Sequence, residues 1–96
     1  MKFNLPERVL KDLITFAKKY NLEKIILFGS RAKNTHNLKS DVDIAVTGGD
    51  FDAFYFEVNE NIHSLLMFDI VNLNSEISQE LNDEIKNYGV TIYEKI

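Results

Sequence analysis

The sequence predicts an α/β (α+β) sheet domain, and three observations carry that prediction. Runs with helical periodicity alternate with short strand-like runs along the whole chain, and the strand-like runs break at Gly or Asn. The 96 residues, 45% apolar and 27% charged, suffice for one small core, with no linker, low-complexity stretch or internal repeat. A single domain over residues 1–96 is therefore expected.

Pro6 suits a first helical turn, with Asn4 as a candidate cap ahead of it. Val9, Leu10, Leu13, Ile14, Phe16, Ala17 and Tyr20 then recur at helical spacing, which predicts a helix ending near Asn21. Lys24 to Phe28 ends in Ile25, Ile26, Leu27 and Phe28, too short for a helix and continuously apolar, as in a strand covered on both faces. Gly29 and Ser30 close it, and Ser30 is placed to cap a short helix through about Asn34. Thr35 to Lys39 reads as an exposed loop. Asp41 to Thr47 then alternates Asp41, Asp43 and Ala45 on one side with Val42, Ile44 and Val46 on the other, until Gly48 and Gly49 end the strand.

Asp50 opens a second long helix, whose stripe is Phe51, Phe54, Tyr55, Val58, Ile62 and Leu65. Leu66 to Leu73 is strand-like despite Asp69 and Asn72. Asn74 or Ser75 can cap a last helix carrying Ile77, Leu81, Ile85 and Tyr88, stopped by Gly89, and Val90 to Tyr93 forms a final strand. The predicted order is α, β, α, β, α, β, α, β.

Composition excludes several function classes. Eleven basic against fifteen acidic residues leave a net charge of −4, with both signs spread along the chain, so broad nucleic-acid adhesion is not expected. Without cysteine there is neither a disulfide frame nor a thiolate metal site. Met1 to Leu10 carries charges and Pro6 where a signal peptide needs an apolar run, and no stretch approaches about 18 apolar residues, which predicts a cytoplasmic protein without a membrane span. P-loop and dinucleotide fingerprints are also missing.

Three carboxylates stand in apolar strand contexts: Asp41 and Asp43 at the head of one strand, and Asp69 within Leu66-Met67-Phe68-Asp69-Ile70-Val71. Residues i and i+2 share a strand face, so Asp41 and Asp43 project together, and a neighbouring strand can bring Asp69 beside them. Crowded carboxylates repel unless a cation is present, and hard Mg²⁺ takes few carboxylates completed by water and substrate phosphates. A pair of such ions would activate an attacking oxygen and stabilise a leaving one, which suits phosphoryl or nucleotidyl transfer.

Phe28-Gly29-Ser30-Arg31 lies at the strand-to-helix junction before these carboxylates. Gly29 allows close backbone approach, Ser30 offers a hydroxyl, the following helix end attracts an anion, and Arg31 carries a forked donor. Lys33 and Lys39 add less directional charge. Asp50-Phe51-Asp52 repeats the Asp-x-Asp spacing after Gly48-Gly49, but reads as a helix cap with first-turn charge. His36 and His63 have no partner at ligand spacing and read as solvated or structural. Phe51, Phe54, Tyr55 and Phe56 are expected mostly in the core, and any left exposed would mark a partner surface.

Gly29-Ser30, ten residues, then Asp41-Val42-Asp43, with Asp69 as a later third carboxylate, resembles the nucleotidyltransferase superfamily that includes DNA polymerase β. The resemblance is strongest to its minimal nucleotidyltransferase (MNT) branch and spans about Leu22 to Tyr93. It implies a small mixed sheet packed by helices, the polymerase β palm-like fold. It further implies that Gly29 and Ser30 bind the nucleoside triphosphate, where Arg31 reads as a nucleotide contact or a surface salt bridge, that Asp41 and Asp43 bind Mg²⁺, in two ions, and that Asp69 completes the metal site and helps activate the acceptor. ATP is the implied substrate. The implied partner is a helical HEPN protein, in a toxin–antitoxin pair whose MNT member transfers AMP to a tyrosine of the HEPN ribonuclease. Two other readings accompany this one: an antitoxin acting by occlusion with vestigial nucleotide binding, and the catalytic subunit of a small-molecule nucleotidyltransferase. One departure is visible, because Ala32-Lys33-Asn34 stands where many relatives have glycine; Asn tolerates the left-handed turn such a position needs.

Overall fold

The computed structural model describes residues 3–62 and 64–96. The elements run α1 (Glu7–Lys19), β1 (Lys24–Phe28), α2 (Gly29–Ala32), β2 (Val42–Thr47), α3 (Phe51–Asn61), β3 (Phe68–Asn72), α4 (Gln79–Tyr88) and β4 (Val90–Glu94), in the alternating order expected. The strands form one mixed sheet in the order β3-β2-β1-β4. β1 is antiparallel to both β2 and β4, and β2 is parallel to β3. The parallel pair needs a crossover connection, which α3 supplies.

The period-two alternation of the strands divides the apolar side chains between two layers. Val42, Ile44 and Val46 of β2 join Ile25 and Leu27 of β1 in a core closed by Val9, Leu13 and Ala17 of α1 and Phe54 and Val58 of α3. On the opposite face Phe28 and Ala45 meet Ile85 of α4, with Ile26, Val71 and Leu81 around them. β1 is thus covered on both faces, which is why its sequence is continuously apolar.

The element ends depart from expectation in instructive ways. Pro6 is the N-cap of α1, and Asn4 makes no cap; its amide instead donates to the Arg31 carbonyl at 2.7 Å. α2 is a single turn that begins at Gly29, so Ser30 lies inside it rather than capping it. Asn34 does adopt the left-handed conformation (φ 62°). Asp50 caps α3 by accepting from the Ala53 amide, as read for the Asp50-x-Asp52 pair. α3 ends at Asn61, before the predicted stripe reaches Leu65, which is fully exposed. Ser78, not Asn74 or Ser75, caps α4 by accepting from Leu81 N–H, and Gly89 ends the helix with an ordinary negative φ. His63 lies outside the described residues.

α1 and α3 are also joined by a polar cluster. The Glu57 carboxylate accepts from Lys19 Nζ (2.7 Å), from Tyr20 O–H (2.6 Å) and from the Asn61 amide. The Lys19 ammonium and these hydrogen bonds hold Glu57 well below the usual carboxylate range, at about 2.

Candidate active site

The parallel register of β2 and β3 sets Asp43 directly beside Asp69, as it sets Ala45 beside Val71 two residues on. Both aspartates lie on the sheet face that carries the Phe28–Ala45–Ile85 cluster, because i and i+2 share a face. Further along that face α4 covers the apolar side chains. Asp69 is exposed, Asp43 is half-buried, and Asp41 sits exposed just ahead of β2. The strand pairing thus brings the three expected carboxylates to one end of the sheet.

From the other side, the antiparallel register places Phe28 opposite Asp43, so the next residue, Gly29, turns away directly against the Asp43 carboxylate. Gly29 has φ +72°, and a β-carbon there would overlap Asp43 Oδ2. The turn needs glycine twice over: for its left-handed backbone and for the space the carboxylate takes. After it comes the single turn of α2, whose first amides have no acceptor within the helix.

Burial pushes the Asp43 carboxyl up to about 6, and the negative charges of Asp69, Asp41 and Glu84 add to the shift in that order. The site therefore concentrates negative potential on one oxygen-donor group beside an anion-compatible turn. A family model described as polymerase beta, nucleotidyltransferase matches residues 11–96. The chain belongs to this nucleotidyltransferase family.

Solved structures agree with the assignment. A crystal structure of a toxin–antitoxin with AMP-PNP is 26% identical, with a TM-score of 0.70, covering 90% of this chain and 73% of that chain. A tyrosine-to-alanine variant of the toxin–antitoxin MntA-HpeT is 27% identical, with a TM-score of 0.69, covering 95% and 74% respectively. Among curated proteins none matches the chain.

Within this nucleotidyltransferase Arg31 is placed differently from expectation. It is 3% exposed, and its guanidinium donates from Nη1 to the Asn4 carbonyl (2.8 Å), from Nε to that of Ser40 (3.2 Å) and from Nη2 to that of Leu38 (3.4 Å). The fork expected to hold a phosphate instead ties the N-terminal segment and the 33–41 loop to α2. Sequence spacing identifies a cation near the Gly29 turn but not which way it turns. Lys33 also has a partner: its ammonium pairs with Glu84 Oε1 at 2.6 Å and lies 4.9 Å from the Tyr88 ring centre.

Glu84 is the residue that sequence reading missed. It lies 51 positions from Lys33 on α4, and its only local signal is a place one turn before Tyr88, beside the Leu81–Ile85 stripe. Only the packing of α4 against β1 and α2 brings its charge to Asp43.

The donor set fits a hard divalent cation. It is all carboxylate oxygen, and burial together with the charges of Asp69, Asp41 and Glu84 makes the ionised form of Asp43 costly without a cation beside it. Among the described residues no three His, Cys, Asp or Glu side chains converge closely enough to hold a metal ion by themselves. Mg²⁺ at nucleotide sites is in general held by one or two carboxylates and completed by water and substrate phosphates.

Proposed function

We propose that this nucleotidyltransferase is Mg²⁺-dependent, uses ATP and transfers AMP to a protein partner, as the antitoxin of an MNT/HEPN toxin–antitoxin pair. The observation that carries the reading is the side-by-side register of Asp43 and Asp69 with Gly29 packed on Asp43. Gly29 and the α2 turn with Ser30 receive the triphosphate, Asp41 and Asp43 bind the metal, and Asp69 completes the site and accepts the proton of the incoming hydroxyl. Bound Mg²⁺ would supply charge neutralisation at the reacting phosphate. The chain's own residues hold the triphosphate in line with the acceptor, and pyrophosphate leaves toward the cradle.

Two observations support a protein acceptor. The related toxin–antitoxin structures match over most of this chain, one of them with AMP-PNP. In addition, Tyr55 and Phe56 of α3 and Leu65 and Met67 ahead of β3 are exposed large side chains that a protein partner would cover. Met67 leads directly into the strand that carries Asp69, so a partner covering it would reach the carboxylates. Among the described residues no helix is long and apolar enough to cross a membrane.

Incubation with Mg²⁺, α-labelled ATP and the product of the neighbouring gene tests the reading. A labelled partner with the wild type and none with Asp43→Asn is the expected result. Partner neutralisation by both proteins without any label would replace it with occlusion; label on a small hydroxyl compound alone would replace the protein acceptor with a small-molecule one.

A further inference from the structure

We infer that the cleft between α4 and the β1–α2 turn seats the nucleoside, base and ribose together, of the bound triphosphate; this rests on the nucleotide-binding reading above. The cleft measures about 540 Å³, within the range of small-molecule sites. Gly29, which also packs against Asp43, forms one border and α4 the other, so the cleft adjoins the place where Asp43 and the turn meet. In a nucleoside triphosphate the α-phosphate is bonded to the ribose. A reacting phosphate at Asp43 therefore requires the sugar to leave into adjoining space, and this cleft adjoins.

Its lining chooses between the two halves of the ligand. Glu80, Asp83 and Glu84 give it an acidic wall, which repels phosphates and favours groups that donate hydrogen bonds. Phe28, Leu81 and Tyr88 give it apolar and aromatic surface suited to a flat base. The Tyr88 ring is half exposed and is held by the Lys33 ammonium, itself held by Glu84. The other Glu84 oxygen, Oε2, is shut from solvent and has no hydrogen-bond partner. A buried acceptor without a donor is costly, and a rotation of the Glu84 carboxylate, whose side chain is 27% exposed, would turn it toward a ribose hydroxyl or an exocyclic amine of the base. Glu84 is accordingly a nucleoside-binding residue in addition to its effect on Asp43, and bases bearing an amine are favoured over uracil.

Binding of Mg²⁺-ATP and of Mg²⁺-tripolyphosphate to wild type, Tyr88→Ala and Glu84→Gln separates this proposal from the reading beneath it. The expected result is about tenfold weaker ATP binding in each variant, the size of one lost base–aromatic or charged hydrogen-bond contact, with tripolyphosphate unchanged. Unchanged ATP binding in both variants overturns the nucleoside seat while leaving the cradle intact. Equal losses for both ligands overturn it too, because the effect then runs through Lys33 and the phosphates. Failure of the wild type to bind either ligand overturns the nucleotide reading itself. Photolabelling of the wild type with 8-azido-ATP gives an answer free of any variant's folding: label on residues 78–88 is expected, and label confined elsewhere refutes the seat.

Discussion

A β-carbon on Gly29 would overlap Asp43 Oδ2, so the turn that ends β1 and a carboxylate near the start of β2 compete for one space. The turn and this carboxylate are therefore a single packed unit. Gly29→Ala must either push Asp43 aside or open the turn, and must also place an L side chain at φ +72°. A stability loss of about 2–4 kcal/mol is expected from strain and overpacking, with at least about a hundredfold loss of transfer from misplacement. Denaturant unfolding and turnover on the same preparation check both.

Asp43 makes the metal-free protein pH-sensitive. The folded chain keeps this proton up to about pH 6, whereas the ordinary carboxyl releases it near 3.8. Between those values the native state binds more protons than the unfolded one, so this contribution to stability falls as pH rises and is level outside the window. Asp43→Asn should remove that slope. Mg²⁺ must displace the same proton, so its affinity should rise up to about tenfold per pH unit below 6 and level off above it. Calorimetry in buffers of different ionisation enthalpy would detect the released proton.

Asp69 adds to the rise at Asp43 through its charge. In Asp69→Asn the Asp43 carboxyl should titrate lower, by carboxyl NMR, while transfer falls by about a hundredfold or more for want of a proton acceptor. A variant that shifts Asp43 but transfers at the wild-type rate would remove Asp69 from the chemistry.

Arg31 should behave as a structural residue. Arg31→Ala strips three backbone carbonyls of their donor. The expected cost is about 3 kcal/mol, measured by urea unfolding. Arg31→Lys should recover little, because an ammonium cannot replace a planar fork among three acceptors. Nucleotide affinity of the folded fraction should stay within about twofold of wild type, since the guanidinium is directed into the fold.

Glu57 supplies the opposite pH signature. Its carboxyl titrates at about 2 against an ordinary 4.5. The stability it contributes is therefore complete above 4.5 and lost as pH falls toward 2. Glu57→Gln should lower the melting temperature at pH 7 and leave it nearly unchanged at pH 2, by thermal scans at both values. The ion pair with Lys19 is partly solvated, so added salt should narrow the difference.

Local chemistry determined most of this protein. The alternation of Asp41, Asp43 and Ala45 against Val42, Ile44 and Val46 already assigned the carboxylates to one face, because the period of a strand is two whatever surrounds it. Gly29-Ser30 followed at fixed spacing by Asp-x-Asp marked the site, and Asp50 declared itself a cap. Helix ends were less legible, since Asn74, Ser75 and Ser78 are equivalent as caps of α4 until packing selects one. What only the tertiary structure decided depends on pairs far apart in the chain. The parallel register set Asp69 against Asp43. Arg31 turned inward because three carbonyls from separate segments converge on it. Glu84 reached the site because α4 packs across β1 and α2, and no local pattern encodes a neighbour 41 residues away from Asp43.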